Sequence, residues 1–353
     1  MFAPYEIRFV NDLQGDPAVL VIVKRTDEHL LFDLGDISSL SHKEVLKVRH
    51  IFISHTHMDH FFGFDKALRF NIPHRKDLFF YGPNGLSLNV QSKLKSYTWN
   101  LIDPDQLPFY IRDLQDSSSS DLYFCGKKTD FDLKLLGREE LDSLCVLKDG
   151  SLVQGIPLDH NGINSIAYQV IHPVQYRIDT DALAQHGLNS GPWISELLAF
   201  IEKDQLDEKV YVGDLDYKVD DLKKRVVNPL GPYVMSYITD VGFSEENLNT
   251  VQNSFQKTDS LVIECSFKHN DLDRSVQKAH LTTRQSALIA SLLSCEDFKP
   301  FHVSNIYEDP DEVIQEAQRF FEEFSRLAPE KLQVELLKEL DAVAQCKSVL
   351  GGD

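Results

Sequence analysis

His55-Thr56-His57-Met58-Asp59-His60 follows directly on the strand-like run Val48–Ser54. Two imidazoles two residues apart at the frayed end of a strand face the same way and can bite one metal ion. Asp59 and His60 lie one turn further on and can serve a second ion. Neutral imidazoles and carboxylates with no thiol nearby suit Zn²⁺ foremost, with Mn²⁺ or Fe²⁺ as alternatives. The hexapeptide therefore reads as a catalytic metal centre placed at a strand end.

Working outward, residues 5–10, 18–24 and 29–34 read as strands with turn residues between them, and 43–48, 60–70 and 84–97 as helices. Strands mixed with helices predict a layered α/β sheet. Residues 100–150 match no clear period and are expected to be an insertion, with Asp116-Ser117-Ser118-Ser119-Ser120-Asp121 as an exposed loop. Further strands are predicted at 152–158, 165–171, 209–212, 261–264 and 300–303. A helical stretch over 179–203 is broken at Gly187 and at Gly191-Pro192. Thr282-x-x-Gln285 forms a capping box that opens a helix to about Ser294, and the last fifty residues form two amphipathic helices split near Pro329.

Four more chemical side chains stand at strand ends, as His55 does. They are His160 after 152–158, Asp214 after 209–212, Glu264 ending 261–264, and His302 in 300–303. Loops at strand ends of layered α/β proteins converge on one edge, which makes these residues candidates for a shared site. His29, His42, His50, His74, His172, His186 and His269 have no such context and are read as ordinary.

The bulk properties set bounds. A chain of 353 residues with 42% hydrophobic residues buries a sizeable core, and no apolar stretch is long enough to span a membrane. Met1-Phe2-Ala3-Pro4-Tyr5-Glu6 lacks the basic and apolar regions of an export signal. Five scattered cysteines with no C-x-x-C are expected to be reduced, in a cytoplasmic protein. The formal net charge of −19 repels polyanions at long range, so a nucleic-acid substrate must be held locally or by the metals.

H-x-H-x-D-H at a strand end resembles the signature of the metallo-β-lactamase superfamily, and the surrounding sequence is similar to its ribonuclease Z branch, the endonucleases that trim the 3′ end of precursor tRNA. The resemblance runs from about Tyr5 to about Asp309, with residues 100–150 matching poorly. It implies a four-layer αββα sandwich, a dinuclear metal centre and a homodimer. It also implies that His55, His57, Asp59, His60, His160, Asp214 and His302 are metal ligands, with Asp214 the bridge and Asp33 supporting the site from behind. Ile263-Glu264-Cys265-Ser266-Phe267 and Ala279-His280-Leu281-Thr282-Thr283 resemble the family's glutamate and histidine segments. The expected domain is 1–310, with 172–203 as a reduced arm-like segment and 311–353 as C-terminal helices packed on the same domain.

The expected reaction has water, hydrogen-bonded to Asp59, attacking phosphorus in line while the metals neutralise charge. His280, kept protonated by Glu264, then supplies a proton to the leaving 3′ oxygen. After its last histidine the family carries Ser-x-Arg-Tyr, whereas this chain has Ser304-Asn305-Ile306-Tyr307, without the arginine. The resemblance implies RNA, precursor tRNA above all, as the substrate, while the acidic surface and the missing arginine favour a smaller one. The alternative is a small molecule cleaved at the same centre, a cyclic nucleotide or an ester or sulfate; a third reading is a metal-bound RNA-binding protein without activity.

Overall fold

The computed structural model describes residues 3–140 and 142–350. The chain divides into a larger unit, Ala3–Ile171 with Val234–Asp353, and a smaller one, His172–Tyr233.

The larger unit is built on two sheets. The first holds β1 (Tyr5–Phe9), β2 (Val19–Val23), β3 (Glu28–Phe32), β4 (Val48–Phe52), β5 (Leu78–Pro83), β6 (Phe109–Leu114), β7 (Ser119–Cys125) and β8 (Lys134–Glu140), adjacent in that order. Pairing is parallel from β3 to β6 and antiparallel at both flanks. Much of the segment expected to be an insertion, 100–150, is β6–β8, which extend the sheet. Its face alternation is legible in β6, where Phe109, Ile111 and Asp113 are buried and Tyr110 and Arg112 less so. The serine-rich stretch is in part the start of β7, because the Asp116 carboxylate accepts hydrogen bonds from the Ser118 and Ser119 amides and turns the chain there.

The second sheet begins with β9 (Cys145–Val146), β10 (Leu152–His160) and β11 (Ile163–His172). The chain then passes through the smaller unit, whose strands are β12 (Gln175–Ile178), β13 (Lys209–Val212), β14 (Leu215–Lys218) and β15 (Val227–Leu230). It returns as β16 (Tyr233–Ile238), β17 (Ser260–Glu264) and β18 (Asp297–Phe301), giving the order β18-β17-β16-β11-β10-β9. The smaller unit has its own core of Leu183, Trp193, Leu197, Ile201, Val210, Val219, Leu222 and Val226. The arm-like segment expected at 172–203 lies within this unit, which continues to Tyr233.

Aromatic side chains bind the two sheets face to face. Phe32 on β3 stacks on Phe52 at 4.9 Å and meets Tyr168 of β11 and Tyr237 of β16 at 5.9 and 5.4 Å. The Tyr168 hydroxyl reaches across to the Ile53 carbonyl, 2.7 Å away, at the end of β4. On the far side of the first sheet, Leu31, Ile51 and Ile53 pack with Val45, Phe64, Leu68, Leu86 and Val90 from helices. On the far side of the second, Ile238, Leu261 and Ile263 pack with Leu288, Val313, Ala317, Leu332 and Leu336. Helices outside two packed sheets make the four-layer αββα arrangement.

The helix expected at 60–70 is two pieces, Met58–Phe61 and Phe64–Asn71. Gly63 separates them because its backbone runs against residue 35: an added Cβ would lie 2.2 Å from the Gly35 carbonyl oxygen. The C-terminal helices, Pro310–Phe324 and Pro329–Leu350, dock through their apolar faces and through buried Glu339, which accepts from Arg284 at 2.9 Å and Gln285 at 3.1 Å.

Phe32→Ala removes the ring shared by both sheets, and should lower unfolding free energy by about 3–5 kcal/mol. Equilibrium denaturation against the unsubstituted chain measures it.

Candidate metal centre

β3 stops at Asp33 because that residue adopts a left-handed backbone, φ 57°, which turns its side chain between the sheets. The buried carboxylate accepts from the Ser54 amide (2.6 Å), the Ser54 hydroxyl (2.8 Å) and the Tyr237 hydroxyl (2.7 Å). His60 Nδ1 lies 2.8 Å from the same carboxylate. That contact places the imidazole proton on Nδ1 and leaves Nε2 as a free donor atom facing the site.

His57 caps the short helix Met58–Phe61, so Asp59 and His60 fall in its first turn. His55, with Nδ1 3.0 Å from the Ser54 hydroxyl, directs Nε2 the same way. His160 ends β10, and its Nδ1 lies 2.9 Å from the Ala279 carbonyl, again leaving Nε2 free. His302 follows β18 in a left-handed conformation, φ 58°.

The residue that joins these histidines is Asp240, buried, two positions beyond β16 and itself left-handed at φ 45°. Its Oδ2 lies 3.6 Å from His55 Nε2 and 3.8 Å from His160 Nε2. Its Oδ1 lies 3.3 Å from His60 Nε2 and 3.2 Å from His302 Nε2. One oxygen therefore faces each set of rings. Ligand atoms of His55, His57, His160 and Asp240 lie within 4.8 Å of one another, as do those of Asp59, His60 and His302. Asp59 approaches His60 Nε2 at 3.6 Å.

Asp214, expected as the bridge, belongs to neither set, and this corrects the sequence reading. It sits in the turn of the β13–β14 hairpin, exposed, within the smaller unit. Gly213 at φ 65° reverses the chain there, so β13 runs straight into a hairpin with β14. Tyr211-Val212-Gly213-Asp214 and Tyr237-Ile238-Thr239-Asp240 share the spacing Tyr-x-x-Asp. The signal that distinguishes the second was available, since it follows Tyr-Val-Met-Ser-Tyr-Ile, a run suited to a strand buried on both faces.

The electrostatics fit a site for cations. Burial, aided by the neighbouring His60, pushes the His55 imidazole down to about 2. Burial also works against charge on His60, yet the Asp240 and Asp33 carboxylates hold its pKa well above the ordinary value, so a cation would take the place of the proton on Nε2. Burial opposes ionisation of Asp240, but His60 and His302 hold it well below the usual carboxylate range. Two buried nitrogens, His55 Nε2 and His60 Nε2, have no hydrogen-bond partner. A buried donor or acceptor left unmatched costs about 1–3 kcal/mol. Nitrogen lone pairs aimed at a shared carboxylate are the donor set of a metal site, so the residues present fit such ions.

Glu264 and His280 stand beside this cluster. Glu264 ends β17 fully buried, and accepts from the Val241 amide (2.7 Å), the Leu281 amide (3.2 Å) and the Ser266 hydroxyl (2.8 Å). His280 Nδ1 lies 2.8 Å from the same carboxylate, and its Nε2 lies 3.9 Å from Asp240 Oδ2. Burial disfavours a charged His280, but the Glu264 charge and hydrogen bond outweigh it and raise the ring to about 9. Tyr237, which fastens Asp33 to the second sheet, has no counterpart in the sequence reading.

Curated relatives are similar to this chain over most of its length. Ribonuclease Z of Deinococcus radiodurans is 24% identical over 297 residues, covering 83% of this chain and 88% of its own length. Ribonuclease Z of Prochlorococcus marinus is 24% identical over 352 residues, covering 94% and 99%. Among solved structures, the metallo-β-lactamase fold protein YhfI from Bacillus subtilis superimposes with a TM-score of 0.54 at 12% identity, over 91% of this chain and 94% of that one. The chain is a metallo-β-lactamase-fold protein similar to ribonuclease Z. A long form RNase Z from yeast gives a TM-score of 0.50 at 13% identity, over 86% of this chain and 38% of that one. No protein-family model matches the chain.

Asp240→Ala should weaken metal binding by at least about tenfold, whereas Asp214→Ala should bind metal like the unsubstituted chain. Elemental analysis after dialysis against limiting Zn²⁺ separates the two assignments.

Proposed function

We propose that this chain is a metal-dependent hydrolase of RNA phosphodiester bonds, acting on precursor tRNA at its 3′ end. The observation that carries the reading is the Asp240 carboxylate, with one oxygen toward His55 and His160 and the other toward His60 and His302. In this reading His55, His57 and His160 hold one ion, Asp59, His60 and His302 hold the other, and Asp240 is shared. Zn²⁺ is the ion proposed, because imidazoles and carboxylates supply every donor. When bound, such a pair supplies charge neutralisation at the phosphate and a more acidic water.

The chain's own residues supply the rest. Asp59, with its side chain part-exposed at the mouth of the cluster, is placed to accept a hydrogen bond from the attacking water. His280 carries a proton at neutral pH and turns Nε2 toward the cluster, while Glu264 holds Nδ1. It is thus placed to deliver that proton to the leaving 3′ oxygen, leaving a 3′-hydroxyl on one product and a 5′-phosphate on the other. Ribonuclease Z is the name of the curated relatives, which match most of this chain and most of their own length.

A cytoplasmic homodimer completes the proposal. The five cysteines are all free thiols, which suits a reducing compartment, and no described helix is long and apolar enough to cross a membrane. The small-molecule alternative, a cyclic nucleotide or an ester or sulfate, keeps its support in Ile306, which stands where the resemblance implies an arginine near phosphate.

The deciding experiment incubates Zn²⁺-loaded protein with a precursor tRNA and, separately, with an activated small phosphodiester. The expected result is a 3′-trimmed tRNA whose formation a chelator abolishes. Hydrolysis of the small diester alone would transfer the function to that class; neither reaction from metal-replete protein would remove the enzyme reading. In the same assay His280→Ala and Glu264→Gln should each lower kcat by about 10²–10⁴, with bound metal retained.

A further inference from the structure

Three imidazoles of the cluster are oriented by a partner on Nδ1. The Ser54 hydroxyl holds His55, the Asp33 carboxylate holds His60, and the Ala279 carbonyl holds His160. Among the described residues His302 has no such holder on Nδ1. Its Nε2 nevertheless stands 3.2 Å from Asp240 Oδ1, on a backbone at φ 58°. A left-handed residue of this kind persists where its surroundings over-determine it. The aim of this ring therefore comes from the loop that carries it.

That loop, residues 302–307, is held from two sides. On one side Ser266, two residues beyond β17, donates its hydroxyl to the His302 carbonyl at 2.9 Å, and its own carbonyl accepts the Ser304 amide at 3.0 Å. On the other side stand residues 10–18, which join β1 to β2. The Leu13 carbonyl accepts the Val303 amide at 2.8 Å. The Gln14 carboxamide nitrogen donates to two carbonyls, Ser304 at 3.1 Å and Tyr307 at 2.8 Å, and so closes the turn between them.

The β1–β2 loop is itself fastened to the segment that follows Asp33. Asn11 Nδ2 donates to the Asp16 and Asp36 carbonyls at 2.6 and 2.7 Å, and the Gly35 amide donates to the Pro17 carbonyl at 2.9 Å. Gly35 has no room for a Cβ, which would lie 2.6 Å from the Pro17 carbonyl oxygen. One loop thus spans from the segment that orients His60 to the segment that carries His302.

Resting on the two-ion reading above, we propose that Gln14 is a positioning residue for the ion assigned to Asp59, His60 and His302. Its carboxamide nitrogen is engaged by the Ser304 and Tyr307 carbonyls, so it acts through the main chain and not as a ligand. The two donated hydrogen bonds fix the 304–307 turn, the turn fixes the His302 backbone, and that backbone aims Nε2. Outer partners that orient a metal-binding imidazole are worth about 10- to 100-fold in affinity.

The test titrates metal-free protein with Zn²⁺ against a competing chelator and reads two dissociation constants. Gln14→Met keeps the length of the side chain and removes both donors; Gln14→Glu sets acceptors against the two carbonyls and gives an independent reading if the first variant does not fold. The expected result is one constant raised about 10- to 100-fold in either variant, with the other unchanged within about twofold. Placed in His302→Ala, which has already lost the ring, Gln14→Met should shift neither constant by more than about twofold. Equal weakening of both ions, or the same penalty with and without His302, would overturn the proposal by marking a general loss of structure. Unchanged constants would overturn it as well. Failure of the unsubstituted protein to bind two ions sinks the two-ion reading and the role of Gln14 with it; two ions bound without coupling to Gln14 sink that role alone.

Discussion

The buried carboxylate of Asp33 is the point on which the centre turns. It receives the Ser54 amide and hydroxyl from the end of β4, the His60 ring from the helix beyond, and the Tyr237 hydroxyl from the opposite sheet. An ionised carboxylate taken out of water is costly unless it is fully hydrogen-bonded, so this one tolerates little movement of any partner. Asp33 thus fixes the distance between the two sheets at the place where the ligand loops emerge. It also sets the tautomer of His60, whose free Nε2 then points at Asp240. A contact that looks structural determines a lone pair in the site.

Backbone strain gathers at the same place. Asp33, Asp240 and His302 all have positive φ, as does Ala279 just before His280. Non-glycine residues in the left-handed region cost of order 1–3 kcal/mol each, and persist where the surroundings over-determine them. Asp33, Asp240 and His302 each turn the chain sharply at a strand end, and Ala279 ends the helix Leu272–Lys278 just before His280. Asp240 is the extreme case. A more relaxed residue at the end of β16 would carry its carboxylate away from the space between His60 and His55, and would separate the two sets of nitrogens.

Proton positions are divided with equal care. His55 is neutral because burial strips it of solvent, while His280, nearly as enclosed, stays protonated because Glu264 sits against its Nδ1. Two histidines of the same cluster therefore differ in protonation through one carboxylate, which suits the first to the proposed ligand role and the second to the proposed proton donor. Glu264 can do this because the Val241 and Leu281 amides and the Ser266 hydroxyl also satisfy it.

Much of this was legible in the residues. The hexapeptide 55–60, His160, Glu264 and His302 were marked by their chemistry at strand ends, where local pattern suffices, and His280 by the family resemblance alone. β-Branched and aromatic runs ending in histidine or acid likewise announced an α/β layered fold. What local pattern left open was the choice between Asp214 and Asp240, both preceded by a tyrosine at the same spacing. That choice depends on whether the strand before the aspartate joins the shared sheet or folds back on itself as a hairpin. Strand pairing is a long-range matter, decided by burial on both faces of β16 and by its hydrogen bonds to β17, not by the four residues around the acid. The extent of the smaller unit and the extra strands at 100–150 were hidden for the same reason. The sequence by itself determined which side chains could bind a cation and that they stand at strand ends. Only the tertiary structure decided which aspartate lies between the histidines, because that requires two sheets to pack and one buried carboxylate to hold them in register.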